Sequence, residues 1–268
     1  MTPSTTLPAK RPSLTLLGAE PWRAAIEYVA HHFSPALSAA NGDGHPVLIF
    51  PGLGADGRSV APLRRACQAL GYIAFDWGRG YNTGPKGDIN PWLKALASDS
   101  AQLLKEHQQT ATLIGWSLGG LYARELAKLM HGRIRQVITI GTPFNADADH
   151  THVGWLYRLL SSKPAAFDTA LAKQLRTAPS VPTTSIYSRS DGIVAWQTCR
   201  HDNPVSQVQD IEIHGSHIGM GWNRSVLQVV ADRLAQRPGG WRPYSPGSIT
   251  THPSNFRKRM KDDFSTHA

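Results

Sequence analysis

The sequence predicts an α/β fold, with a mostly parallel sheet covered by helices on both faces. Three observations carry that expectation. Apolar runs of four or five residues, such as V-L-I-F at 47–50 and A-T-L-I at 111–114, are too short for helices and end at glycine, proline or aspartate. Longer stretches between them repeat their apolar residues at helical spacing. Runs and stretches alternate along the chain, and a strand that returns beside its predecessor through a helix lies parallel to it.

The elements follow in order. Glu20-Pro21-Trp22 opens a helix that reaches about Phe33. Val47–Phe50 is a buried strand, and Val60–Leu70 is a helix that Gly71 ends. Tyr72–Phe75 is the next strand, followed by a loop, Asp76 to Pro85, dense in turn residues. A helix starts near Asn90-Pro91, with Leu93, Leu96, Leu103 and Leu104 at helical period. Ala111–Ile114 is a strand, Leu118–Met130 a helix and Val137–Ile140 a strand. The period then fades until about Pro182, leaving the helical pieces Trp155–Leu160 and Phe167–Arg176. Thr184–Ser188 and Ile211–Ile213 are the last strands, and Arg224–Leu234 the last helix. Residues 1–13 read as a disordered segment, 14–235 as one domain with a small helical cap inserted at about 144–180, and 236–268 as a basic tail rich in Pro and Gly.

Composition narrows the function classes. The 268 residues are 41% hydrophobic and 18% charged, which suits one domain with a sizeable core. Two cysteines, Cys67 and Cys199, make no disulfide framework and read as buried small hydrophobes. The amino terminus lacks an apolar signal core and no stretch of eighteen apolar residues occurs, so a cytoplasmic location is expected. The net charge is +9, part of it in the run Arg257 to Lys261. No nucleic-acid-binding signature accompanies it, and a solvated tail accounts for the run.

Chemistry enters with Gly115-Trp116-Ser117-Leu118-Gly119, a G-x-S-x-G pattern between a strand and a helix. In that setting the pattern is a nucleophile elbow, a strained turn that lifts a serine hydroxyl out of the sheet edge. The flanking glycines let strand and helix fold back closely, and Gly119, Ala123 and Ala127 give the helix a low face toward the sheet.

A serine needs a base, and the base an acid. Ser190-Asp191-Gly192 follows the Thr184–Ser188 strand, so Asp191 is the candidate acid and Asp202 the reserve. His214-Gly215-Ser216-His217 follows the last strand. His217, three residues further into the glycine-rich loop, has the better reach, and His214 is the reserve. Ser117 would then attack, His217 would take and return the proton, and Asp191 would fix the imidazole tautomer. The oxyanion would be held by two backbone N–H groups, those of Leu118 after the serine and of Leu53 in the loop Pro51-Gly52-Leu53-Gly54. That loop is not a phosphate loop, because no G-K-[ST] follows.

Taken in order, V-L-I-F-P-G-L-G, L-I-G-W-S-L-G-G, S-D-G-I-V and G-S-H resemble the α/β-hydrolase superfamily, and in particular its bacterial serine esterases and lipases. The resemblance spans about 47–235. It implies a mostly parallel sheet, a cap after the sixth strand of the full fold, and an ester-cleaving serine hydrolase without a cofactor. Thioesterase, acyltransferase, amidase and cofactor-free peroxidase chemistry occur on the same fold. Pro51-Gly52 stands where many relatives have His-Gly, and residues 1–46 offer no counterpart of the first two strands, which points to a shortened sheet. The G-W-S-L-G-G string is also similar to that of the bacterial carboxylesterases that demethylate pimeloyl esters on acyl carrier protein.

The substrate expected is a small acyl ester. A basic surface would also suit an acidic acyl carrier or a lipid surface, and no nucleic acid is expected. Asp147, Asp149, His150 and His152 have ligand-type side chains but read as a polar hinge, with no metal required. Trp155, Leu156, Leu159 and Leu160 form an apolar stripe suited to packing over an acyl pocket. A non-catalytic acyl-binding protein on the same fold is the competing class. The sequence is silent on oligomeric state.

Overall fold

The computed structural model describes residues 10–34, 42–145, 169–202 and 204–246. The Asp147–His152 cluster, the Trp155–Leu160 stripe, most of the expected cap and the Arg257–Lys261 run lie outside these residues.

Among the described residues, six strands, all parallel, form one sheet: β1 (Pro46–Phe50), β2 (Ile73–Asp76), β3 (Ala111–Trp116), β4 (Ile134–Ile140), β5 (Thr183–Tyr187) and β6 (Val208–Glu212). Their spatial order is β2-β1-β3-β4-β5-β6. The helices are α1 (Leu14–Phe33), α2 (Ala61–Ala69), α3 (Ile89–Leu103), α4 (Leu118–Leu129), α5 (Thr169–Arg176) and α6 (Arg224–Leu234). Short 3-10 turns stand at Trp196–Cys199 and Ile218–Gly221. Among the described residues no antiparallel strand precedes β1; α1 occupies that part of the chain.

Side-chain alternation along the strands divides the core. Leu48, Phe50, Leu113 and Val137 face α3, α4 and α5, while Val47, Ile49, Ile114 and Ile138 face α2 and α6. β1 is buried on both faces, which is why V-L-I-F is apolar without a break. The chain leaves β1 for β2 on one side and returns to β3 on the other. The carboxyl ends of β1 and β3 therefore border the switch point, where ligands of open parallel sheets bind.

Most element boundaries differ from the expected ones by one or two residues, and three starts lie further upstream. β4 begins at Ile134 because its polar residues have fixed partners: Arg135 donates to Asp43, and the Gln136 amide donates to Thr112 Oγ1 and to the Arg233 carbonyl. β6 begins at Val208 because an edge strand can carry Gln209 and Asp210. The first helix begins six residues before Glu20, capped by the Ser13 hydroxyl, which accepts from Leu16 N at 3.2 Å. Pro21 lies inside it rather than at its start.

Both cysteines are free and buried. Burial pushes the Cys67 thiol up to about 12 and the Cys199 thiol well above its ordinary value. Among the described residues, no helix is long and apolar enough to cross a membrane.

Candidate active site

Ser117 caps α4 with φ 53° and ψ −123°, a positive φ rare for a residue with a Cβ. The surroundings hold it there. Its N–H donates to the Ile140 carbonyl at 2.8 Å, and its carbonyl accepts from Gly120 N at 3.0 Å and Thr142 Oγ1 at 2.9 Å. A Cβ at Gly115 would overlap the Gly119 carbonyl, and one at Gly119 would overlap the carbonyls of Phe50 and Pro51. Both glycines are thus required by the closeness of β1, β3 and α4.

Asp191 and His217 meet across the carboxyl ends of β5 and β6. His217 Nδ1 lies 2.6 Å from Asp191 Oδ2, and both side chains are almost fully buried. The other carboxylate oxygen, Oδ1, accepts from Ile193 N at 2.8 Å and Val194 N at 2.6 Å, which fixes the plane of the acid. An ionised carboxylate only accepts, so the network assigns the proton to Nδ1 and leaves Nε2 as an acceptor. Burial works to lower the His217 pKa, but Asp191, with help from Glu20, outweighs it and the net shift is upward from 6.5. Trp116, beside Ser117, donates its indole N–H to the His217 carbonyl at 3.1 Å, tying the elbow to the histidine loop. Ser117 Oγ makes no hydrogen bond to the imidazole among the described residues; such bonds are commonly long before substrate arrives.

The remaining expected residues can be placed. Among the described residues, the N–H groups of Leu53 and Leu118 donate no hydrogen bond within the chain. Gly52 lies against the serine, since a Cβ built on it would stand 3.2 Å from Ser117 Cβ. The reserve residues do not join the pair. His214 is exposed, and Asp202 accepts instead from the Asn145 amide at 2.8 Å.

A sequence profile of the alpha/beta hydrolase family matches residues 47–253. The chain belongs to that family. A pimeloyl-[acyl-carrier protein] methyl ester esterase of Shewanella woodyi is 28% identical over 137 residues, 50% of this chain and 49% of the esterase. The chain thus matches about half the length of that relative. Among solved structures, one of the metagenome-derived lipolytic enzymes LipS and LipT superposes with a TM-score of 0.55 at 14% identity, over 73% of this chain and 95% of its own. A bromoperoxidase from Bacillus anthracis superposes with a TM-score of 0.51 at 16% identity, over 72% and 92%. At such identities the likeness is one of fold, and a lipolytic enzyme and a bromoperoxidase differ in chemistry.

Two residues of this alpha/beta hydrolase shape the site without having been singled out from the sequence. Asn82, fully buried, pins the loop after β1. Its amide donates to the Pro51 carbonyl at 2.8 Å, its carbonyl accepts from Gly54 N at 2.8 Å, and its N–H donates to the Ala55 carbonyl at 2.8 Å. Its Oδ1 in turn accepts from Gly84 N and the Tyr122 hydroxyl. The only sequence signal was an asparagine inside a turn-rich loop.

Glu20 on α1 is the second, only 1% exposed. Its Oε1 accepts from Gly192 N at 2.7 Å and His217 N at 3.0 Å, and its Oε2 from Ile218 N at 3.1 Å. One carboxylate therefore joins the acid loop to the histidine loop. Its neighbours extend the clamp: Arg23 donates to the Ser190 carbonyl and hydroxyl, and Glu27 accepts from Ser216 N and the Asn223 amide. A Cβ at Gly192 would stand 2.5 Å from the Leu16 carbonyl, so α1 can approach this closely only over glycine.

Proposed function

We propose that this alpha/beta hydrolase cleaves carboxylic esters through an acyl-enzyme on Ser117. The observation that carries the reading is the positive-φ serine at the switch point, near two backbone N–H groups that donate no hydrogen bond among the described residues, with a buried His217–Asp191 pair in the neighbouring loops. Ser117 Oγ attacks the ester carbonyl carbon as its proton passes to His217 Nε2. The C–O π electrons move onto the carbonyl oxygen, which the N–H groups of Leu53 and Leu118 stabilise; each such donor is worth about 3–4 kcal/mol. The tetrahedral species collapses, and the alcohol leaves with the proton from Nε2. Water repeats the sequence on the acyl-enzyme, giving the free acid and restoring Ser117. Asp191 holds the ring with Nε2 toward the serine and offsets the imidazolium charge.

Asn82 and Glu20 act through other groups. The first holds the Leu53 donor in place, and the second holds the acid and histidine loops together. The likeness to the Shewanella acyl-carrier-protein ester esterase and the +9 charge favour an acyl group presented on an acidic carrier as the substrate form to compare with free esters.

Fluorophosphonate labelling followed by intact mass tests the reading. One adduct on the peptide containing Ser117, absent from Ser117→Ala, together with hydrolysis of short-chain aryl esters, is the expected result. No adduct and no turnover with free or carrier-bound esters and thioesters would instead assign the fold to acyl binding without catalysis.

A further inference from the structure

α1 is amphipathic in the reverse sense. A helix on a globular surface ordinarily turns its apolar side inward. Here Glu20 and Glu27 are directed inward to backbone N–H groups, while Trp22, Ile26, Val29 and Phe33 form one outward stripe. Those four are 76%, 67%, 55% and 86% exposed, and Leu14 at the start of the helix is 80% exposed. All the ionisable residues of α1 (Glu20, Arg23, Glu27, Tyr28, His31, His32) lie off this stripe. A continuous exposed apolar face of this kind marks a surface that is covered when the protein works.

The surroundings of the stripe indicate what covers it. Exposed Lys10 and Arg11 precede α1. At its other end, a groove of about 490 Å³ is lined in part by Arg65 and Arg224. The apolar stripe is thus bracketed by cations on a chain of net charge +9. A second copy would bring like charge against like at both ends. A layer of phosphate headgroups over acyl chains matches both parts, with aromatic side chains at the level of the boundary.

We propose that the outward face of α1 is a docking surface for an anionic lipid bilayer, with Trp22, Ile26, Val29 and Phe33 inserted among the acyl chains and the Arg65–Arg224 groove receiving a headgroup phosphate. The helix lies in the plane of the interface and does not cross it. This reading is independent of the ester chemistry, because it concerns a face turned away from Ser117, Asp191 and His217.

The test is flotation of the full chain with phosphatidylcholine vesicles, with and without phosphatidylglycerol, at low and high salt. Trp22→Gln with Phe33→Gln removes apolar area from residues that are largely in solvent, and Arg65→Gln removes one exposed cation. The expected result is flotation with the phosphatidylglycerol vesicles that weakens in salt, falls roughly tenfold or more in the double variant, and falls several-fold in Arg65→Gln. The double variant should keep the melting temperature of the parent. Flotation unchanged in the double variant, or absent with both vesicles, overturns the proposal. So does equal flotation with neutral vesicles, which removes the anionic headgroup. A sedimentation profile that shifts from dimer to monomer in the double variant also overturns it, by assigning the face to a second copy.

Discussion

Replacing Glu20 with glutamine separates the mechanical role of the clamp from its electrical one. Glutamine keeps one carbonyl oxygen for Gly192 N and His217 N, but its amide group meets the Ile218 N–H donor to donor. One charge-assisted hydrogen bond is lost, worth about 1.5–3 kcal/mol, and two others fall to neutral strength. Glu20 is buried, so water does not compensate, and the expected loss is about 3 kcal/mol. For a chain of this size that lowers Tm by roughly 6–12 °C.

The electrical role has a definite sign. Glu20 helps raise the His217 pKa, so its loss lowers that pKa, and a base that must be neutral then works at lower pH. The acid limb of kcat/KM on an aryl ester should move to lower pH in Glu20→Gln. Stability reports the same coupling. A histidine whose pKa is raised in the fold stabilises it below its unfolded value near 6.5, and that contribution disappears as pH rises through the folded value. The gap in unfolding free energy between parent and variant should therefore be wider at pH 5, about 1.5 units below the ordinary histidine midpoint, than at pH 9, about 2.5 units above it. A variant that loses stability while its acid limb and the pH dependence of the gap stay fixed would refute the electrical role. A loss below about 1 kcal/mol would refute the clamp.

Other perturbations address the rest of the site. Asn82→Ala frees the loop after β1, so kcat should fall about tenfold with KM little changed, and urea unfolding should show a loss of about 2–3 kcal/mol. His217→Ala should reduce kcat/KM by about 10⁴-fold or more, while His214→Ala stays within about twofold; steady-state assays of the two variants distinguish the histidines. Cys67 and Cys199, buried with raised pKa values, should resist Ellman's reagent in the native protein and both react in guanidinium. A fast-reacting native thiol would contradict that burial.

The parts of the site legible in the sequence are those whose signal is local. Ser117 sits in a five-residue pattern between a strand and a helix, and Asp191 and His217 stand in short loops directly after strands. A place just past a strand preferred Asp191 to Asp202, and reach within a glycine-rich loop preferred His217 to His214; the hydrogen bond between the preferred two is present in the fold. Glu20 was hidden because its partners are backbone N–H groups 172, 197 and 198 residues away, which no periodicity announces. Asn82 was hidden for the same reason, inside a loop that read as turn residues. The early start of α1 was lost to Pro21, which resembles a first-turn proline although a capped turn precedes it. The polar first halves of β4 and β6 carry no apolar run, because their side chains are satisfied by partners distant in the chain.

The placement of α1 has a consequence for control. The helix lends no strand to the sheet and packs chiefly on the Ile218–Gly221 turn, yet three of its side chains organise the loops of Asp191 and His217. Seating of the helix and order in those loops are then two sides of one equilibrium. Any ligand that tightens the histidine loop must strengthen the hold on α1, and anything that draws α1 outward must loosen the histidine by the same free energy. Only the width of α1 separates the stripe that faces solvent from the carboxylate that holds the His217 and Ile218 N–H groups, so an event on the surface is felt in the histidine loop without any movement of the sheet.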